Sequence, residues 1–205
     1  MTEQYQIALT ELAKQQIRRE NPGEALRLLK RCYAYPENLG EGKLRGAREN
    51  DFDYWRGIAL KALGHTDEAT RAFESAAQGE ISLGAAIFYN DQKPDKIFYQ
   101  ALALAQLGND KEARRIFRSF TDYGTRHISD KFKMDYFAVS NPDLQIWNSD
   151  LNLKNRVHCL YMMALGLYGQ GKSAKAAELL REAASLDNNN QGVQLHLAMI
   201  NNEIR

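Results

Sequence analysis

Acidic side chains in the middle of the chain are the residues whose type and surroundings could support catalysis. Two carboxylates that face each other across a cleft, one protonated and one ionised, can hydrolyse a glycosidic bond. However, Asp95 and Asp143 each follow a proline, a place where a carboxylate more simply caps the start of a helix. We therefore expect structural roles for these two. The alternative is a sugar-binding site completed by five residues: Tyr89, Asn90, Asp91, Asp135 and Tyr136.

The remaining reactive side chains do not form a catalytic or metal-binding pattern. His127 and Asp130 have the spacing of a base and the carboxylate that orients it, but no nucleophile motif accompanies them. Cys32 and Cys159 lie within apolar helical patterns, which predicts buried free thiols. No His/Cys pair has ligand spacing, and no glycine-rich phosphate loop occurs. The sequence therefore predicts a protein that is not an enzyme, with no catalytic residue, no metal and no cofactor.

The charge balance narrows the class of partner. The chain has 27 Lys and Arg residues against 26 Asp and Glu residues, a formal net charge of +1. This balance gives no electrostatic reason to expect nucleic acid or an anionic membrane surface. The chain has no apolar run long enough for a membrane-spanning helix, and its first residues do not resemble a signal peptide. These features favour a cytoplasmic location.

A repeated sequence supplies the elements that would position these side chains. Residues 54–77 and 98–121 read almost as copies of each other when Gly64 is aligned with Gly108. Each copy has apolar residues at helical spacing, interrupted by a glycine that suits a helix end. The small residues at matching positions would let two helices approach closely, with an aromatic ring beside them. The matching positions are Gly57 with Ala101, Ala69 with Ala113, and Phe73 with Phe117.

The pattern resembles the tetratricopeptide repeat, a helix-turn-helix unit of roughly 34 residues with the signature W-x2-L-G-x2-Y…A-x3-F. The resemblance implies an all-α fold, a right-handed α-solenoid or superhelix. We expect residues 1–205 to form one domain of about four repeats. Repeats are predicted at about 6–35, 50–79, 94–123 and 157–187, inserts at 36–49, 80–93 and 124–152, and a capping helix at 191–204. The inserts are predicted to be an ordered loop, a short extra helix and a turn-rich excursion, respectively.

Some helix ends are also predicted from the sequence. Asn21 with Glu24, and Asn109 with Glu112, have the spacing of capping boxes. The last helix should cover the apolar face of the helix before it, because the end of a repeat array is otherwise exposed. The covering stripe is predicted to be Val193, Leu197, Ile200 and Ile204.

In this type of repeat, ligand-facing positions recur on the first helix of each pair. That first helix is called the A helix here. Aromatic residues at such positions can anchor a partner because they bring a large area at a small entropy cost. Aromatic residues at helical spacing are equally typical of a core, and both interpretations stay open here. The predicted binding residues are Lys14, Arg18, Tyr54, Lys61, Phe98, Gln106, Tyr161 and Tyr168.

The inserts carry most of a second resemblance, which is to one group of large bacterial proteins. Its segments are YPENLGEGKL at 35–44, FYND at 88–91, FYQALA at 98–103, DYFAVSNPD at 135–143, NRVHCLY at 155–161 and QGVQLHL at 191–197. They resemble the helical-repeat C-terminal region of proteins that carry an upstream β-sandwich domain of unknown function. That β-sandwich is of a kind often associated with carbohydrate.

The two resemblances together imply a non-catalytic protein-binding or scaffolding module of a larger bacterial protein. The expected partner is a protein or peptide segment, or the upstream β-sandwich domain of the same polypeptide, docked on the concave surface. Neither nucleic acid nor a membrane is expected as a partner. The alternative is an accessory part of a carbohydrate-processing enzyme, with a carbohydrate link through the parent protein. Self-association through the terminal helices is compatible with both.

Overall fold

The computed structural model describes residues 1–43, 47–85, 93–132 and 150–202. The described residues form α-helices, one 3₁₀ turn at Glu37–Leu39, and loops, with no strand among them. The predicted all-α class is therefore confirmed. The helices are α1 (Thr2–Arg18), α2 (Pro22–Cys32), α3 (Asn50–Ala62), α4 (Thr66–Ala76), α5 (Pro94–Gln106), α6 (Asp110–His127), α7 (Leu151–Gly169), α8 (Ser173–Leu186) and α9 (Gln191–Asn201).

The helices follow one another as pairs joined by short turns: α1 and α2, α3 and α4, α5 and α6, and α7 and α8. The region between the third and fourth pairs is shorter at both ends than the predicted insert at 124–152, because α6 continues to His127 and α7 begins at Leu151. The earlier start of α7 has a local cause. A carboxylate oxygen of Asp150 accepts hydrogen bonds from the backbone N–H groups of Asn152 and Leu153, at 2.9 and 3.1 Å, which caps the helix there. Residues 80–85 of the second insert are not helical.

Each turn within a pair uses one residue in the left-handed backbone region. In the second pair, the N–H of His65 donates to the carbonyl of Leu60 (3.0 Å) and that of Gly64 to the carbonyl of Lys61 (3.1 Å). These two bonds form a Schellman motif, which satisfies the last carbonyls of a helix. The same pair of bonds recurs in the other three turns. The left-handed residues are Glu20 (φ 55°), Gly64 (φ 78°), Gly108 (φ 78°) and Gly171 (φ 79°).

The first turn is the exception, because it has Glu20 where each of the other three turns has a glycine. A residue with a Cβ is strained in the left-handed region, whereas glycine adopts it freely. The hydrogen bonds nevertheless form, from Glu20 to the Ile17 carbonyl and from Asn21 to the Gln16 carbonyl. The first pair therefore keeps the repeat turn at a conformational cost.

The two predicted capping boxes are wrong. Neither glutamate reaches back to the residue before its helix, because each pairs with an arginine three residues later. Glu24 accepts from Arg27 at 2.6 and 2.7 Å, and Glu112 accepts from Arg115 at 2.6 and 2.9 Å. An arginine one turn further along a helix presents two donors in a fork that matches a carboxylate.

Small residues allow α3 and α4 to pack closely, as the sequence predicts. A Cβ placed on Gly57 would lie 2.4 Å from Cε1 of Phe73, so the ring occupies the space that a side chain would need. Ala69 is buried at the corresponding place on α4. In the third pair, Ala113 is 2% exposed. Replacing such residues with larger ones would force the helices apart.

The chain divides into two compact units. Met1–Ser82 with Asp95–Arg115 belong to the first compact unit, and Leu83–Pro94 with Ile116–Glu203 belong to the second. In the first, α2 packs on α3 and α1 also contacts α3; in the second, α9 packs on α8 and α7. The single domain over residues 1–205 stays a prediction.

The terminal helix α9 buries a different stripe from the predicted one. Its buried residues are Val193, His196, Met199 and Ile200, whereas Leu197 is half-buried and Ile204 lies outside the described residues. A histidine can take a core position here because Nδ1 lies 3.0 Å from the Tyr161 hydroxyl and 2.9 Å from the Gly192 carbonyl. A buried polar ring is tolerated when it is hydrogen-bonded.

The left-handed turn of the first pair gives a direct test. Glu20→Gly should raise the free energy of unfolding by about 1 kcal/mol, because glycine removes the strain of a side chain at φ 55°. Gly64→Ala is the matched variant and should lower it by a similar amount. Urea unfolding followed by circular dichroism measures both, and a destabilised Glu20→Gly protein would contradict this account of the turn.

The close packing of the third pair gives a second test. Ala113→Leu adds three carbon atoms at a position that is 2% exposed, and overpacking of this kind costs roughly 1–3 kcal/mol. Arg114→Leu, one residue away on an exposed position, is the control and should change the unfolding midpoint little. Equal midpoints for Ala113→Leu and the unaltered protein would remove Ala113 from the helix contact.

Candidate functional site

The eight predicted binding residues do not share one environment. Lys14, Tyr54, Phe98 and Tyr161 are buried, and Tyr168 is half-buried. The exposed residues of the set are Arg18, Lys61 and Gln106. Of the two interpretations left open for the aromatic residues, the burial of Tyr54, Phe98 and Tyr161 favours a role in the core. Binding by any of the eight stays a prediction.

An aromatic cluster explains the burial of Tyr54. Its ring lies 5.3 Å from Trp55, 5.9 Å from Phe73 and 5.5 Å from Tyr99, measured between ring centroids. Such tilted and edge-on contacts add to the stabilisation that comes from the buried area. Phe98 joins the cluster through the ring of Tyr99 at 5.4 Å. Two consecutive aromatic residues on α3 and two on α5 thus form a core inside the first compact unit.

Lys14 extends from α1 onto this aromatic cluster. Its ammonium group lies 5.2 Å from the Trp55 ring centroid, 5.8 Å from the Tyr99 ring centroid and 2.5 Å from a Glu11 carboxylate oxygen. Burial lowers the pKa of Lys14, but Tyr99 (through its ionised form at alkaline pH) and the Glu11 carboxylate raise it, and the net pKa is above its usual value. Lys14 therefore stays charged at neutral pH, held by a carboxylate and two aromatic faces.

Two further lysines connect the A helices α3 and α5. Lys96 on α5 forms an ion pair with Asp51 on α3 at 2.5 Å, and both side chains are largely buried. Burial lowers the pKa of Lys96, but the carboxylates of Asp51 and Asp95 raise it more. At the other end of the same helices, the Lys61 ammonium donates to the Gln106 amide oxygen at 3.0 Å. The first compact unit thus carries cross-helix polar contacts at both ends of these two helices.

Sequence reasoning missed the roles of Tyr99 and Lys96 in this arrangement. The repeat alignment contains a signal for Tyr99, because it occupies the same place as Trp55. No local signal identifies the partner of Lys96, since Asp51 is 45 positions away in the chain. Only the packing of α3 against α5 brings the two together.

In the second compact unit, a cleft of about 280 Å³ lies beside the N-terminal half of α7. Its lining combines apolar and polar side chains, including Ala85, Leu151, Lys154, His158, Asp187 and Asn190. The imidazole Nε2 of His158 lies 2.8 Å from the carbonyl oxygen of Gly84. Burial lowers the pKa of His158, while the bond to Gly84 raises it by less.

The structure brings together the predicted base and orienting carboxylate, His127 and Asp130. Nδ1 of His127 lies 2.7 Å from an Asp130 oxygen, both side chains are exposed, and the imidazole stacks on Tyr123 at 4.4 Å. The thiol of Cys159 is a poor nucleophile, because burial raises its pKa to about 11 and leaves it protonated at neutral pH. Cys32 is buried too, with a pKa of about 11 for the same reason.

The five residues of the alternative sugar site lie outside the described residues, namely Tyr89, Asn90, Asp91, Asp135 and Tyr136. That site stays a prediction. Asp95 lies in the first turn of α5, whereas Asp143 also falls outside the described ranges. Within those ranges, no group of three or more His, Cys, Asp and Glu side chains could hold a metal ion.

None of the helices in the described ranges combines the length and the apolar character that crossing a membrane requires.

Comparison with protein families identifies the repeat. Models of the tetratricopeptide repeat match residues 51–75, 97–123 and 157–182. These ranges contain most of α3 and α4, of α5 and α6, and of α7 and α8. The α1–α2 pair lies outside these matched ranges and has the same left-handed turn.

Several solved structures are similar to this chain at low identity. MamA 41-end from Desulfovibrio magneticus RS-1 is 16% identical, covers 96% of this chain and 84% of its own, and has a TM-score of 0.32. The MamA RS-1 ArsTM double mutant is 17% identical, with coverages of 96% and 83% and a TM-score of 0.30. The C-terminal part of a TPR repeat-containing protein from Cytophaga hutchinsonii is 14% identical, with coverages of 94% and 70% and a TM-score of 0.28. TM-scores this low support no conclusion about a partner.

The contacts of Lys14 predict different losses of stability for two substitutions at this position. Lys14→Met keeps the apolar stem and removes the charge, so it should cost about 1 kcal/mol of stability. Lys14→Ala also removes the stem that is buried against the rings, so it should cost roughly 2–3 kcal/mol. Urea unfolding compares the two. If both variants unfold like the unaltered protein, Lys14 does not contribute to the core.

Proposed function

Because this chain is a tetratricopeptide-repeat protein, we propose that it is a non-catalytic binding or scaffolding module that docks a partner on its A helices. The partner is a peptide segment or a neighbouring domain, such as a β-sandwich in the same polypeptide. Repeats of this kind stack short helix pairs and present an extended surface to a partner. The accessible side chains of the first compact unit indicate the chemistry of that partner.

The contact between Lys61 and Gln106 is the observation that carries the proposal. Lys14 and Lys96 each have a carboxylate partner inside the unit, Glu11 and Asp51. The exposed Lys61 instead donates to the neutral amide oxygen of Gln106. A carboxylate from a partner would make a stronger hydrogen bond to this ammonium group than an amide does. We therefore infer that the docked segment carries an acidic residue opposite Lys61.

Arg18 supports the same inference from a neighbouring helix. It lies in the last turn of α1 and is exposed, and α1 contacts α3. A guanidinium group can bind a carboxylate through two parallel hydrogen bonds. The Gln106 amide could meanwhile pair with the backbone of an extended peptide. The proposed contact surface is thus polar and cationic.

Crosslinking followed by binding measurements tests the proposal. A photoreactive residue at position 106 should crosslink in cells to a segment that contains Asp or Glu, whereas the same residue at the exposed position 74 of α4 should not. A synthetic peptide of the captured segment should then bind the purified protein. Lys61→Glu should weaken this binding by at least about tenfold, because a cation that pairs with the peptide becomes a repelling anion.

A control on another helix separates this effect from net charge. Lys30→Glu changes the total charge equally at an exposed position of α2 and should leave the affinity within about twofold. Lys61→Arg should retain binding. Equal losses for Lys61→Glu and Lys30→Glu, or crosslinks at position 74 only, would count against docking on the A helices.

A further inference from the structure

The A helices α1, α3 and α5 of the first compact unit lie side by side and point the same way. Near their starts, Lys96 of α5 pairs with Asp51 of α3. Burial lowers the pKa of this lysine and nearby carboxylates raise it, among them that of Glu3 on α1. At the opposite ends, Lys61 of α3 donates to Gln106 of α5 at 3.0 Å. The starts of all three helices therefore lie together, and so do the ends of α3 and α5.

Arg18 ends α1 at the place that Gln106 has on α5. Both are the last residue of their helix, two positions before the left-handed residue of the turn. Arg18 also lies one turn beyond Lys14, whose ammonium group is 5.2 Å from the ring centroid of Trp55 on α3. Residues four apart share a face of a helix. The side chain of Arg18 therefore starts from the face of α1 that is turned toward the other A helices.

Arg18 and Lys61 are exposed cations on this surface, and neither has a carboxylate partner among the described residues. The carboxylate of Glu11, earlier on α1, already pairs with Lys14 at 2.5 Å. Two cations on neighbouring helices favour a partner that presents two anions over one that presents a single anion.

The distance between the two helices sets the spacing of those anions. The helix α1 contacts α3, and packed helices lie about 8–10 Å apart. In a polyproline II segment, residues three positions apart lie on the same side and about 9 Å apart, because about three residues make one turn. In a β-strand, residues on the same side lie about 7 or about 13 Å apart. A spacing of three in a polyproline II segment therefore matches one step from α1 to α3.

We propose that the docked partner is an extended, polyproline-like segment with two internal acidic residues three positions apart, one opposite Arg18 and one opposite Lys61. This inference rests on the docking proposed above and adds a second charged contact and a fixed spacing to it. Past Lys61 the segment continues over α5, where the amide of Gln106 can pair with its backbone. The recognised carboxylates are side chains, so the segment needs no free C-terminus.

Blocked synthetic peptides test the spacing. Each peptide has about twelve residues in a Pro/Ser background, acetylated and amidated ends, and two Asp residues that are two, three, four or seven positions apart. A further peptide has one Asp and one Asn three positions apart. Binding to the purified protein is followed by the shifts of its backbone amide NMR signals, which detect weak complexes. The peptide with a spacing of three should bind about fivefold more tightly than each of the others, the effect of one additional exposed ion pair.

A pair of arginine variants tests which cation reads the second anion. Arg18→Gln should weaken the spacing-of-three peptide about fivefold and leave the Asp/Asn peptide within about twofold. Arg19→Gln is the matched control, because it removes the same charge from the next residue, which is also exposed but points about 100° further around the helix. It should leave both affinities within about twofold. The dispersed amide spectrum of each variant verifies its fold.

The outcomes separate this inference from the docking on which it rests. Equal affinities at every spacing, or equal losses for Arg18→Gln and Arg19→Gln, overturn the two-anion segment, and docking still stands if Lys61→Glu weakens the same peptides. Tightest binding at a spacing of seven indicates a helical partner and also overturns the segment. If no peptide binds, the segment is overturned, whereas docking of a neighbouring domain is judged by the crosslink at position 106.

Discussion

A single left-handed residue at the end of each A helix is the constraint on which the helix pairs depend. The two hydrogen bonds at this residue close the last carbonyls of one helix and reverse the chain within a few residues. The second helix then returns close enough for the Phe73 ring to fill the space above Gly57. The first pair accepts a glutamate at this position, which shows that the hydrogen bonds and the packing outweigh the strain of one side chain.

The two compact units place a basic side chain in different surroundings. In the first, Lys14 remains charged because a Glu11 carboxylate and the faces of Trp55 and Tyr99 surround its ammonium group. In the second, burial disfavours a charged His158, which has a carbonyl oxygen as its partner. A buried charge persists only where a group of opposite charge compensates for the lost water. The same physical rule explains why the pKa of Lys14 is raised and that of His158 is lowered.

The burial of the aromatic residues changes the kind of recognition that the A helices can support. Exposed aromatic anchors would bind a partner through apolar area. With Tyr54 and Phe98 in the core, the exposed members of the predicted set are Arg18, Lys61 and Gln106, whose side chains offer charge and hydrogen-bonding groups. Charge complementarity contributes more to selectivity and to the rate of association than to raw affinity.

The sequence by itself determined the helix pairs, because apolar spacing, turn glycines and small residues such as Ala69 act within one repeat. It did not determine the partners of Lys14 and Lys96 or the burial of Tyr54, since these depend on residues of other helices. It also misplaced the stripe of α9, where a hydrogen-bonded His196 takes a core position. Periodicity reports which face of a helix is apolar, but only tertiary packing decides which side chains that face meets.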